Sequence, residues 1–234
     1  MIAEPGGAAG RLVLTRDPAE LAARARTLLR EQLECNVLAT ILMGMIEGPF
    51  AGRPALLGYV PEGEDGASFA ALRTSPWPMV ASRLAPGTAD DLLTSWLRED
   101  PDLPGINSIP ETAREIAAAW ARQTGGRTRV RTRMAMFTLT AVTEPPHPAP
   151  GRLRRALPGE AAMLLEWWRA FEIDAGVFTT PTAAESAVAG RLAAERCMLF
   201  TDLSNPTSNK IYAEVGYERI GDWEEIMFEP AGQL

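Results

Sequence analysis

The chain is poor in the side chains that most metal and nucleophile chemistry requires. Among 234 residues there are two cysteines and one histidine. Cys35 and Cys197 stand far apart; with His147 they do not make an ordinary zinc set, and no disulfide framework is expected. A Ser-His-Asp or Cys-His arrangement is unsupported, because His147 lies in a proline-rich stretch where a solvated loop histidine is the ordinary outcome. Long apolar runs are missing too. The longest, Val37 to Ile46, is too short for a bilayer and reads as a buried helix. Positive charge is in deficit: a net charge of −7 argues against nucleic acid or an anionic membrane as the main partner. The opening MIAEPGGAAG has neither the basic nor the apolar region of a secretory signal, so a reducing cytoplasm is the expected home.

What is present suits a globular protein with a core. Apolar residues make up 46% and charged residues 23%, ordinary values for a soluble globular protein, and the length suits one large domain or two small ones. Asp17-Pro18 opens a helix expected to run to about Arg30, with Asp17 as its cap. A second helix is expected over Asn36–Ile46. Ala55–Val60, Ser68–Arg73 and Met79–Ala81 are apolar runs separated by turn-rich PEGEDG and TSPWP, which predicts a small antiparallel sheet. Helices follow at Thr88–Glu99, with Leu92, Leu93, Trp96 and Leu97 on one face, and at Pro110–Gln123, stopped by Gly125-Gly126. RTRVRTRMAMFTLT alternates arginine with apolar residues, the pattern of a half-buried strand over Arg127–Val142.

The segment TEPPHPAPG reads as an extended linker, dividing the chain into 1–142, a linker at 143–150, and 151–234. Beyond it a short strand is expected at Arg152–Ala156. A helix over Gly159–Ala175 should turn Leu164, Leu165, Trp168 and Phe171 inward, and a further amphipathic helix covers Pro181–Ala194. Then come a strand at Cys197–Leu203, a helix at Pro206–Val215, and strands at Tyr217–Ile220 and Glu224–Phe228. Alternating strands and helices in both parts predict an α/β or α+β architecture.

The stretch TDLSNPTSNKIYAEVGYERIGD carries the most chemistry. Asn205 suits the helix cap, Pro206 the first helical position, and Gly216 the left-handed residue that ends the helix. Ile211 and Val215 are expected to face the core. Asn205, Ser208, Asn209 and Tyr212 form a polar stripe by the i, i+3, i+4 rule, beginning where partial positive charge favours anions. Two readings fit such a stripe: the edge of a cofactor site, or a well-capped surface helix with Tyr212 half buried. The stretch closely resembles the C-terminal motif of the GNAT family, the GCN5-related N-acetyltransferases. A wider likeness covers LPGINSIPETAREIAAAWARQTG, the arginine-rich strand, the linker and GRLRRALPGEAAMLLEWWRAF. Together they are similar to bacterial GNAT proteins with a degenerate N-terminal half. The resemblance implies a mixed sheet flanked by helices and acetyl-CoA as co-substrate. It also implies coenzyme contacts from Asn205, Ser208 and Asn209, with Tyr212 as the general acid toward the departing thiolate. The acceptor would be an amine, on a small molecule or a protein, and a homodimer is compatible with it.

One family element is missing. A Gln/Arg-x-x-Gly-x-Gly/Ala loop normally opens a helix after the long central strand and cradles the coenzyme pyrophosphate with backbone N–H groups. Here only Glu195-Arg196 separates the Pro181–Ala194 helix from the Cys197–Leu203 strand. Gly6-Gly7 has no strand before it, and Gly125-Gly126 ends a helix. The function expected is therefore acetyl transfer from acetyl-CoA to an amine, weakened or lost; the alternative is an inactive GNAT-derived interaction or dimerisation module. Among the remaining features, Arg127, Arg129, Arg131 and Arg133 at period two are expected to form one solvated face paired with nearby acids. Trp167 and Trp168 could line a cleft, though Trp168 fits a core face. Glu224 and Glu225 are expected to be surface carboxylates rather than a catalytic base.

Overall fold

The computed structural model describes residues 11–48, 50–143, 158–160, 162–164, 166–167, 170–171 and 197–231. Its elements begin with strand β1 (Val13–Thr15), helices α1 (Pro18–Arg24) and α2 (Arg26–Glu31), a 3-10 turn at Leu33–Cys35, and α3 (Asn36–Glu47). Strands β2 (Ala55–Glu62), β3 (Gly66–Thr74) and β4 (Met79–Ala81) lead to α4 (Ala89–Glu99) and β5 (Gly105–Ser108). Helix α5 (Pro110–Thr124), β6 (Arg127–Leu139), β7 (Cys197–Asp202), α6 (Pro206–Val215) and β8 (Glu218–Glu229) follow. Residues 162–164, 166–167 and 170–171 are helical. The expected strand at Arg152–Ala156, the helix at Pro181–Ala194, His147, Leu165 and Trp168 lie outside the described residues.

Local chemistry explains most boundaries. The carboxylate of Asp17 accepts from Ala19 N–H at 2.8 Å and Pro18 sets the first turn of α1. The helix expected to reach Arg30 is broken at Ala25 (φ −89°, ψ 7°), so two short helices stand in its place. Gly125, at φ +70°, ends α5 in the left-handed conformation that glycine adopts at least cost. Two strands, β1 and β5, had no clear sequence signal, being three and four residues long. The two short strands expected near the C-terminal end are one, β8.

All eight strands form one sheet in the order β1-β2-β3-β4-β5-β8-β6-β7. Among them β4 and β5 are parallel and the other neighbours antiparallel. Strand β8 lies between β5 and β6, so the two parts of the chain flanking the proline-rich segment are interleaved in a single sheet. One core fills the side under α4 and α5, where Leu92, Leu93, Trp96, Ile116 and Trp120 meet Phe69, Ile106 and Phe228. The second fills the side under α1–α3, where Leu21, Leu38 and Leu42 meet Leu57, Leu72, Met136 and Trp223. Fully burying each such side chain contributes about 1.5–3 kcal/mol, so both faces hold the sheet firmly. Among the described residues no helix is long and apolar enough to cross a membrane.

Three expectations about side-chain placement are corrected. Leu164 and Phe171 are exposed rather than turned inward, as is Trp167. Ile211 is 49% exposed, so α6 does not seal a core with that side. The four arginines of β6 do not share one face. A register shift between Val130 and Thr132 inverts the alternation. Arg129 and Arg131 pair with Glu229 and Glu225, whereas Arg133 reaches Glu224, on the opposite face of β8.

Candidate functional site

Helix α6 brings together all four residues singled out in sequence. The Asn205 side chain accepts from Ser208 N–H at 3.1 Å, and Gly216 closes the helix at φ +105°. Part of the positive helix start is thus consumed by its own cap. Asn209 turns inward: its amide nitrogen donates to the backbone oxygens of Asp202 at 3.0 Å and Asn205 at 2.6 Å. Both donors being used, Oδ1 is left buried without a partner among the described residues. Tyr212 is half buried, its ring tilted against Phe137 at 6.4 Å and edge-on to Tyr217 at 5.6 Å. Its position is fixed by ring contacts. No hydrogen bond engages its hydroxyl among the described residues.

The sheet adds features that sequence reasoning missed. The carboxyl ends of the parallel strands β4 and β5 open a crevice, the kind of place where α/β sheets take ligands. A cavity of about 270 Å³ lies there, lined by Arg83, Ile109, Pro110, Met136 and Gly221 among others. Glu34 crosses to Arg83 at 3.1 Å, so those two charges offset each other. Neither β5 nor the crevice could be read without knowing that GINS forms a strand.

From β4 the chain turns through a loop into α4, a strand–loop–helix unit with Gly87 at φ +81°. Such a loop could present amides to phosphate, but two of its donors are taken. Leu84 N–H donates to Thr112 Oγ1 at 2.9 Å and Gly87 N–H to Glu115 Oε1 at 2.7 Å. A carboxylate from α5 thus sits where an anionic ligand would have to bind.

Glu224, expected on the surface, is buried at 2% side-chain exposure. Arg114 grips it with both Nε (2.9 Å) and Nη2 (2.6 Å), and Arg133 adds Nε at 3.1 Å. Burial pushes its carboxyl pKa up, but the hydrogen bonds and charges of the two arginines outweigh that and hold it below the ordinary range. Glu224 is therefore an ion-pair anchor and not a poised base. The sequence signal was available in principle: an arginine-rich strand implies an acidic neighbour, and WEEIMFE supplies one. Cys35 is buried and its thiol is pushed up to about 12 by burial first and Glu34 second, which removes it as a nucleophile. Among the described residues no cluster of His, Cys, Asp and Glu is arranged to hold a metal ion.

No protein-family model and no curated protein sequence matches the chain. Among solved structures it is similar to a Drosophila protein from a structural-genomics consortium, at 12% identity and a TM-score of 0.49, over 94% of this chain and 99% of that one. It is also similar to a GCN5-related N-acetyltransferase from Sphaerobacter thermophilus, at 16% identity and a TM-score of 0.47, over 94% of this chain and 96% of the other. The structural neighbours of this mixed α/β sheet thus include a GCN5-related N-acetyltransferase.

Proposed function

We propose that the chain is a GNAT-type acyltransferase that uses α6 to hold acetyl-CoA and Tyr212 to supply a proton. The observation that carries the reading is Oδ1 of Asn209, a buried acceptor with no partner among the described residues, on the stripe that resembles the family's coenzyme-binding motif. It fits an amide N–H of the pantetheine arm, because that arm offers donors and both N–H groups of Asn209 are already used. Ser208, half buried one position earlier, adds a hydroxyl able to donate or accept. Bound acetyl-CoA would supply an acyl group activated as a thioester. Tyr212 Oη, which makes no hydrogen bond among the described residues, holds the proton due to a leaving thiolate; a phenol suits this because phenols and thiols titrate in neighbouring ranges. The acceptor is an amine, entering in its neutral form. Calorimetric titration with CoA and acetyl-CoA tests binding, and thiol release with a panel of amines tests turnover. No heat at millimolar CoA would overturn the reading.

A second reading, an inactive interaction module, is favoured by the loop before α4. Two of its amides, those of Leu84 and Gly87, bind Thr112 and Glu115. Amine-dependent thiol release from acetyl-CoA by the purified chain would exclude it.

A further inference from the structure

We propose that Arg114 and Arg133 form a phosphoryl-binding site that supplies the grip the amide loops do not. It rests on the coenzyme reading above, since the phosphates in question are those of CoA. The argument starts from stoichiometry. Along β6 and β8, Arg129 pairs with Glu229 and Arg131 with Glu225, one guanidinium to one carboxylate. Glu224 alone takes two. Arg114 already satisfies both of its oxygens in the fork geometry that makes arginine–carboxylate pairs strong. Arg133 is surplus to that need, so two guanidinium groups are paired with the one Glu224 carboxylate.

The placement suits an external anion. The carboxylate is buried beneath, while both arginine side chains are 62% exposed. Each guanidinium carries five N–H donors. Arg114 spends two of them on Glu224 and Arg133 one. No other acceptor meets either head among the described residues. Sharing one carboxylate holds the two heads close together, on α5 and β6, so little ordering remains to be done on binding. The site also lies beside the proposed coenzyme helix. Arg133 and Phe137 are four residues apart on β6 and share a face, and Phe137 carries Tyr212 of α6. Leu203 N–H donates to Arg133 O at 3.0 Å, just before the chain enters α6. Two carboxylates bear on the charge. Asp222 is engaged by Arg219, and Glu111, one turn before Arg114, opposes the surplus.

The test uses the full chain and inorganic pyrophosphate as probe. Phenylglyoxal labelling, read residue by residue by mass spectrometry, should slow at Arg114 and Arg133 with pyrophosphate or CoA. Exposed Arg30 and Arg98 should be unaffected, and pantetheine, which lacks phosphate, should protect nothing. Arg133→Gln leaves the Arg114–Glu224 fork intact, so the fold survives; pyrophosphate affinity should fall about tenfold or more. Glu111→Gln, on an exposed position, should raise it about two- to fivefold. Protection by pyrophosphate but not by CoA would keep the anion site and sink the coenzyme reading. CoA binding without protection, or no protection by either, would overturn the proposal itself.

Discussion

Replacing Tyr212 with phenylalanine separates chemistry from packing on α6. The phenyl ring keeps the contacts that hold the side chain, tilted on Phe137 at 6.4 Å and edge-on to Tyr217 at 5.6 Å. The oxygen lost makes no hydrogen bond among the described residues, so none of them is left with a stranded partner. Stability should therefore change by less than about 0.5 kcal/mol, the range of ordinary surface substitutions. For a chain of this size that is a melting shift of about 2 °C or less. The catalytic effect should be far larger. A positioned general acid contributes about 10²- to 10⁴-fold, or roughly 3–5 kcal/mol in barrier height. Differential scanning fluorimetry and amine-dependent thiol release, run on the same preparation, give both numbers. An unchanged kcat would remove Tyr212 from the chemistry. A melting loss of many degrees would show that the hydroxyl has a structural partner.

Three further outcomes follow from the core and the sheet. Asp100 accepts from Trp96 Nε1 at 3.1 Å and pairs with Arg73 at low exposure on both sides, so Asp100→Ala strands a buried indole N–H and a buried guanidinium. It should cost about 3–5 kcal/mol, read as a lower urea midpoint, with Asp100→Asn costing less. A methyl group at Gly105 would stand 2.4 Å from Ile226 O, so Gly105→Ala should push β5 off β8 and cost about 2 kcal/mol or more in thermal unfolding. The two arginines hold the Glu224 carboxyl below the ordinary carboxylate range in the folded chain. Its stabilising contribution should be complete above about pH 4.5 and fade as pH falls through the lower folded value. The stability gap between wild type and Glu224→Gln should accordingly be flat near neutrality and close in acid.

How much could be read from the chain alone varied with the length of the pattern. Helix α6 matched its expected bounds, Pro206–Val215, because a cap, a proline and a glycine mark it within twelve residues. Helices α3, α4 and α5 came within a residue or two for similar reasons. Strand β5 escaped because GINS is too short for alternation, and with it went the parallel pair and its crevice. The arginine face failed on a single extra residue: period-two logic cannot foresee a bulge, and one bulge sends Arg133 to the other side. Glu224 was misplaced for a different reason: its partner Arg114 lies over a hundred residues away in sequence. At the candidate site, the identities on α6 were legible, but the inward turn of Asn209 was not. That turn is set by the backbone oxygens of Asp202 and Asn205, which only the folded loop presents.

The interleaving of β8 has a consequence for how the protein comes into being. During synthesis β5 and β6 leave the ribosome well before β8, yet β8 is the rung that joins them. Until it emerges, the N-terminal portion carries two bare ladder edges in the middle of what will be its sheet, the kind that recruits wrong partners. Nascent chains halted before residue 218 should therefore lean on chaperones, and a peptide spanning 218–229 added in trans should quiet them.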